Sequence, residues 1–382
     1  MIKIQEKFKI VYNYSVYFIE NLFDRGQNYF SYILDECGIQ HNSKFLFFID
    51  SNVAVLHPDL IKDIKFFFNS GNYKLADTPL IISGGEVVKN DFANVHSILE
   101  AIDKYGIDRH SYIVAIGGGA VLDAVGFAAA IGHRGIRHIR IPSTVLSQND
   151  SGVGVKNGIN YFGKKNFIGT FAPPFIVIND FNLLHTLSAR DFRSGFAEAI
   201  KVGLIKDDSF FDFIEEHASE LIDRDSEIIK QLIRRCAEIH LQHIAGGDPF
   251  EQGNSRPLDY GHWSAHKLEQ LSNYRILHGE AVIMGMCLDA VYANLKGLLH
   301  EKEMMRLIHL SKKLEFKVYA PEMEVNNNKV KSGLLEGLQE FREHLGGQLT
   351  IMLLEKIGKG IEVHEMDEEF IMKAVSILKE ND

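Results

Sequence analysis

Residues 111–133 read SYIVAIGGGAVLDAVGFAAAIGH. A short apolar run ends at three glycines, and a helix-like apolar pattern follows. A run of this length, stopped by glycine, fits a strand buried on both faces. Glycines between strand and helix let backbone N–H groups approach a pyrophosphate, and the helix N-terminus that follows favours negative charge. A plain tight turn reads the same way, and the spacing is not GxGxxG, so the stretch alone does not identify a dinucleotide site. Asp123, four residues after the last glycine, faces back toward the turn if the helix starts there.

Outward from this unit the alternation continues. KFLFFID (44–50), PLIIS (79–83) and IRHIRIPST (136–144) read as strands, and HPDLIKDIKFFFNSG (57–71) and VKNDFANVHSILEAIDKYGI (88–107) as helices. Strand–helix alternation predicts a parallel α/β sheet. From Ala189 onward helical patterns follow one another: ARDFRSGFAEAIKVGLI (189–205), DSFFDFIEEHASELI (208–222), SEIIKQLIRRCAEIHLQHI (226–244), GHWSAHKLEQL (261–271) and GEAVIMGMCLDAVYANL (279–295). QLTIMLLEKIG (348–358) reads as a late strand or β-hairpin. The expectation is an α/β domain over 1–185 and a mostly helical domain over 186–382, with the cleft between them as the default site.

The bulk numbers narrow the function. The chain has 382 residues, 46% hydrophobic, with a formal net charge of −10 and no long basic run, which argues against nucleic acid as a partner. Cys37, Cys236 and Cys287 form no CxxC pair, so a disulfide framework is not expected and a reducing compartment fits. The first residues alternate and carry charge, unlike a signal peptide, and no apolar run of about 18 residues suggests a membrane span. These readings predict a cytoplasmic protein.

Several motifs carry chemistry, each with a plainer reading beside it. DSN (50–52) is a turn or a ribose contact. GGEVVKN (84–90) places Glu86 and Lys89 three apart, which also suits an ordinary helix start. IPSTVLSQNDSGVGVKNGINYFGKKNFIG (141–169) reads as a long loop, functional or solvated, whose Lys156, Lys165 and Asn166 suit a phosphate clamp. GFAEAIKVG (195–203) puts Glu198 and Lys201 on one helix face with apolar flanks, so this pair is partly buried or a weak surface pair. Finally, DYGHWSAHKLEQLSNYRILHGEAV (259–282) holds His262, His266 and His278. His262 and His266 lie about 40° apart on a helix. Lone histidines are more often structural than ligating. Two on one face, a third before a glycine and a distant helical Glu form the N/O donor set that a catalytic zinc uses.

Taken together, residues 44–300 resemble the sugar phosphate cyclase superfamily, whose best-known member is 3-dehydroquinate synthase. The resemblance rests on Gly117–Gly119 with Asp123, on PSTVLSQNDSGVGVK, on Lys165-Asn166, on AEAIK and on GHWSAHK…HGEAV. It implies an N-terminal NAD-binding α/β domain, a helical C-terminal domain and an active site in the interdomain cleft. It implies a metal, Zn²⁺ or Co²⁺, on Glu198, His262 and His278, with His266 as a substrate or proton-relay residue. Arg134, Lys156, Asn166 and Lys201 match substrate and phosphate positions, the arginine being offered by the neighbouring subunit of a homodimer. Asp50, Asn52, Glu86, Lys89, Gly118, Gly119, Asp123, Ser143, Thr144, Leu146, Lys165, Thr186 and Asp191 match NAD-contacting positions, and Asp150 adjoins cofactor and substrate. The implied reaction is a carbon–oxygen lyase cycle. A ring hydroxyl is oxidised with hydride transfer to NAD, phosphate is eliminated, the hydride returns, the ring opens, and an aldol step closes a carbocycle.

The sequence departs from dehydroquinate synthase where that enzyme holds its substrate carboxylate. EIH places His240 at a lysine position, Arg256 is one residue off the arginine spacing so that Ser255 or Pro257 takes that region, and Asp259 replaces an asparagine. The C-terminal lysine motif is absent, with FREH in its place and Arg342 as a substitute candidate. Losing a hydrogen bond to a charged group costs roughly 1.5–3 kcal/mol. These changes, with RPLDYGH and FREHLGG (341–347), resemble the valiolone synthase branch. They imply sedoheptulose 7-phosphate as substrate and 2-epi-5-epi-valiolone or 2-epi-valiolone as product, in cyclitol biosynthesis. The alternatives are 3-dehydroquinate synthase acting on 3-deoxy-arabino-heptulosonate 7-phosphate, a metal-dependent polyol dehydrogenase, and a non-catalytic binding protein.

Overall fold

Continuous apolar runs become buried strands in the computed structural model, which describes residues 1, 3–69, 71–246, 248–250, 257–324, 333–344 and 348–382. The first strands are β1 (Ser15–Ile19), β2 (Lys44–Asp50), β3 (Lys74–Leu75), β4 (Leu80–Ile82), β5 (Tyr112–Gly117), β6 (Arg137–Pro142), β7 (Lys156–Tyr161), β8 (Lys164–Phe171) and β9 (Ile176–Asp180). The main sheet runs β1-β9-β6-β5-β2-β3, with β4 also pairing β2. Its pairings are parallel. Every residue of β5 is buried, as both faces of a covered parallel strand require. The helix Gly119–Ile131 that follows is apolar and largely buried as well.

The chain forms two compact units, Met1–Pro142 with Val155–Asp180, and Ser143–Gly154 with Phe181–Asp382. In the first, strand order reverses between β2 and β5. Such a switch point, at the carboxyl ends of parallel strands, is where ligands of open α/β sheets sit. Asp50 ends β2, and the Gly117–Gly119 turn ends β5.

In the second unit the helix His278–Leu295 is buried along nearly its whole length. Helices Phe196–Lys206, His262–Leu271, Glu301–Lys313 and Glu368–Asn381 pack on it. QLTIMLLEKIG resolves as half of an antiparallel hairpin, β10 (Ile351–Lys356) with β11 (Lys359–Val363). No helix of the described residues is long and apolar enough to cross a membrane.

The fold corrects three local readings. Residues 141–169 are not a long loop. Ser147–Ser151 forms a π-helical turn, and β7 and β8 form an antiparallel hairpin. Phe162 and Gly163 both have positive φ, which closes a two-residue turn, and Ile159 is buried beneath it. The buried Arg140 guanidinium holds the hairpin's start through the Lys156 carbonyl (3.0 Å) and Asn157 Oδ1 (2.7 Å). The helix expected over 189–205 breaks at Gly195, whose carbonyl accepts from Asn149 Nδ2 at 2.7 Å. The helix expected over 208–222 breaks at His217, between Asp208–Glu216 and Ala218–Ile222, where φ and ψ of −96° and 19° leave helical geometry.

One buried polar group of the second unit has a thermodynamic signature. Asp289 accepts from the Trp263 indole at 2.8 Å and from the Gly261 N–H at 3.1 Å, and burial pushes its carboxyl up to about 7. A carboxyl raised this way is bound to its proton more tightly in the folded than in the unfolded chain. Its ionisation therefore costs stability as pH rises from about 4 to about 7, by roughly 4 kcal/mol. Trp263 is the chain's single tryptophan. We expect its fluorescence to titrate near pH 7 and urea stability to fall across that window. Both effects should vanish in Asp289→Asn. An unchanged pH profile in the variant would remove this account.

Candidate active site

Glu198 lies in the first turn of the helix Phe196–Lys206 and is fully buried. The helix begins one residue past the break at Gly195, so the sequence that interrupts the helix also sets the height of this carboxylate. A Cβ on Gly279 would overlap the Ser194 carbonyl oxygen. The missing side chain thus lets the N-terminus of the helix His278–Leu295 close on the same break, where the Ser194 hydroxyl accepts the Gly279 N–H at 3.1 Å. This contact brings His278 to Glu198.

Two imidazoles face Glu198 Oε1. His262 Nε2 and His278 Nε2 each lie 3.6 Å from it. The other nitrogen of each ring fixes its tautomer. His262 Nδ1 lies 3.1 Å from the Tyr260 carbonyl, which can only accept, so Nδ1 carries the proton. His278 Nδ1 donates in the same way to the buried Glu269 carboxylate at 3.0 Å. With Nδ1 as the donor, each ring points its Nε2 at Glu198 Oε1, at a distance longer than a good hydrogen bond. A shared cation makes that arrangement favourable. Ligand atoms around a tetrahedral zinc at its usual bond lengths stand about 3.3 Å apart, close to what is seen. The donor set of one carboxylate and two imidazoles fits Zn²⁺ or Co²⁺ with a position left open.

The protonation states agree with this. Burial pushes the Glu198 carboxyl up, but Lys201, His278 and His262 more than reverse it and hold the group well below the usual carboxylate range. Burial and Lys201 push the His262 imidazole well below its ordinary value, so it is neutral. Burial lowers the Lys201 ammonium, and Glu198, with Asp150 and Asp259, more than compensates and raises it. Lys201 is ion-paired with Glu198.

The rest of the predicted set divides between the units. In the second, the His266 ring stands 5.5 Å from His262 and 6.0 Å from His278, outside the Glu198 donor set. His240 Nε2 lies 3.2 Å from Asp150 Oδ1. Asp259 follows Pro257 and Leu258 in a 3₁₀ turn and acts on Lys201. Ser143 is buried, Thr144 bonds to Ser147 Oγ at 2.8 Å, Leu146 precedes the π turn, and Asp191 accepts from Ser188 at 2.6 Å near Thr186. Arg342 is exposed on the helix Glu336–His344. Ser255 and Arg256, and the Leu345–Gly347 part of FREHLGG, lie outside the described residues.

In the first unit, Asp50 accepts from the N–H groups of Asn52 (2.8 Å) and Gly118, joining the two strand ends at the switch point. Buried Lys89 bonds to Asp123 at 2.6 Å and to Asn166. Asn160 gathers Glu86 (2.8 Å) and the Asn166 N–H (2.9 Å). Gly119 opens the helix after the glycine turn. Lys156 and Lys165 lie on the hairpin strands, and Arg134 ends an exposed turn with φ of 63°. Glu269, Asp289 and Asn160 escaped the sequence reading. Glu269 stood in plain view, seven residues after His262 on the helix face of His262 and His266, but nothing in the sequence pairs it with His278.

We expect Glu198→Ala to bring bound zinc to background while circular dichroism stays folded. Breaking its buried ion pair should also cost about 3–5 kcal/mol in denaturation. Retention of stoichiometric metal would remove Glu198 from the ligand set.

Comparison with known proteins places this geometry. The family model described as 3-dehydroquinate synthase N-terminal matches residues 79–194, and that described as 3-dehydroquinate synthase C-terminal matches 195–334. The chain is 36% identical over 296 residues to a 3-dehydroquinate synthase of Nitrosospira multiformis, covering 77% of this chain and 79% of that one. Among solved structures, the 2-epi-5-epi-valiolone synthase ValA from Streptomyces hygroscopicus subsp. jinggangensis 5008, with NAD⁺ and Zn²⁺ bound, superposes with a TM-score of 0.86 at 27% identity over 100% of both chains. A 2-deoxy-scyllo-inosose synthase complexed with carbaglucose-6-phosphate, NAD⁺ and Co²⁺ superposes at 0.76, with 23% identity over 94% of this chain and 95% of that one, a likeness of fold. The chain therefore belongs to the dehydroquinate synthase-like family of the sugar phosphate cyclase superfamily.

Proposed function

We propose that the protein is an NAD- and metal-dependent lyase that cyclises sedoheptulose 7-phosphate to a valiolone-type C7 cyclitol with loss of phosphate. The observation that carries this reading is the acidic surrounding of Lys201, made by Glu198, Asp150 and Asp259, with His240 held by Asp150 rather than a lysine in its place. A substrate carboxylate would meet repulsion there, whereas a hydroxymethyl group can donate to Asp259.

When bound, the metal polarises the hydroxyl being oxidised, and NAD provides a reversible hydride acceptor. The chain's own residues do the rest. Glu198, His262 and His278 hold the cation. Lys201 and Lys156 hold the leaving phosphate through charge-assisted hydrogen bonds, with Asn166 and, from a second copy in a homodimer, Arg134. His266, beside both ligand rings, moves a proton at the oxygen being oxidised. Asp150 orients His240 against the substrate. The pairings of Lys89 with Asp123 and of Asp50 with Gly118 shape the cofactor end.

A second reading, 3-dehydroquinate synthase, is favoured by the names and identity of the curated relatives. The test is paired turnover with NAD and Zn²⁺ or Co²⁺, offering sedoheptulose 7-phosphate or 3-deoxy-arabino-heptulosonate 7-phosphate. Phosphate release and NMR of the product are the readouts. We expect turnover of the first alone, with no net NADH. Turnover of the second alone assigns the protein as a divergent dehydroquinate synthase, and stoichiometric NADH assigns it as a dehydrogenase.

A further inference from the structure

Both candidate ligand histidines hang on one helix. His278 opens the helix His278–Leu295, and His262 follows a turn laid against the same helix two turns further on. The contact is backbone to backbone. Gly261 has a φ of +76°, and a Cβ on it would meet Met286 N at 2.7 Å. A Cβ on Gly285 would overlap the Gly261 carbonyl oxygen. The Tyr260 hydroxyl donates to the Met286 carbonyl at 3.0 Å. Asp289 then closes the arrangement, with Oδ2 accepting the Gly261 N–H at 3.1 Å and Oδ1 the Trp263 indole at 2.8 Å. One carboxylate thus grips the residue before His262 and the residue after it.

Burying this carboxylate carries a cost of its own. It is fully buried, its bonded partners are neutral donors, and burial pushes its carboxyl upward. What it does is fix the direction in which His262 leaves the turn. An imidazole on a loose turn would lose the 3.6 Å spacing to Glu198 that a common cation needs.

We propose that Asp289 is a positioning residue of the metal centre: its bonds to Gly261 and Trp263 hold His262 Nε2 at ligating distance from Glu198 and His278. The inference rests on the reading of Glu198, His262 and His278 as the metal ligands.

The test is titration of the metal-free full-length chain with Co²⁺ against a competing chelator, recording affinity and the visible d–d spectrum. The variants are Asp289→Asn, Trp263→Phe, which removes one donor and keeps an aromatic ring, and Leu307→Ala. Leu307 is a fully buried residue of the helix Glu301–Lys313 and controls for lost stability alone. We expect one Co²⁺ per wild-type chain, affinity weakened by about tenfold to a hundredfold with an altered spectrum in Asp289→Asn, and a smaller change of the same kind in Trp263→Phe. Leu307→Ala should keep wild-type affinity and spectrum. Wild-type affinity and spectrum in Asp289→Asn and Trp263→Phe overturn the positioning role and leave the metal reading standing. Equal weakening in Leu307→Ala also overturns it, because stability alone would then explain the loss. If wild type binds no Co²⁺, or binds it equally well as Glu198→Ala, the metal reading fails and the inference with it. If Asp289→Asn does not fold, Trp263→Phe decides by the same criteria.

Discussion

A carboxylate closed off from the surface governs the second unit. Glu198 is fully buried, and an ionised group there is tolerable only among compensating charges. Lys201, three residues on, supplies one. The two imidazoles help to hold it ionised as well, and with Nδ1 committed elsewhere each points its Nε2 at the same oxygen. Four carboxyl groups, Glu198, Glu269, Asp150 and Asp259, share the site with Lys201. A divalent cation on the three ligand atoms, together with Lys201, offsets most of that negative charge. The helix break at Gly195, the close contact of Gly279 with Ser194 and the turn at Gly261 all follow as ways of delivering donors to that one oxygen.

What could be read in the chain follows from how local each signal is. β2 was legible to the residue, because KFLFFID is an uninterrupted apolar run between polar ends. The switch point was legible in part, since GGG and DSN mark strand ends, although no periodicity says that β2 and β5 are neighbours. The hairpin β7–β8 was read as loop. Its Gly and Asn content looks like loop, and its pairing depends on Arg140, a buried cation more than a dozen residues upstream of Lys156. The excursion of Ser143–Gly154 into the second unit is likewise invisible to a reading that follows chain order.

For the site, residue types were legible and their supports were not. Histidine and glutamate at suggestive spacings point to a metal by themselves. Glu269 and Asp289 look like ordinary helical acids, and only the packing of two helices shows that one fixes the His278 tautomer and the other clasps the turn that bears His262. Second-layer groups of this kind are chosen by three-dimensional neighbours, so a single sequence carries no trace of them.

The same electrostatics bears on which sugar phosphate fits. A phosphate needs cations wherever it sits, and under the proposed function Lys156, Lys201 and Arg134 supply them. A second anionic group on the substrate needs a further cation near the metal, because a buried carboxylate left unpaired pays its full desolvation cost. Under the proposed function, that place is taken by His240, which Asp150 already engages at 3.2 Å, and by Asp259, itself an anion. Bringing a carboxylate there means crowding like charges at short range. Bringing a hydroxymethyl group means exchanging water for a carboxylate acceptor, a trade worth roughly 1.5–3 kcal/mol for a hydrogen bond to a charged group. On that reading the difference between the two sets substrate choice without any change at Glu198, His262 and His278.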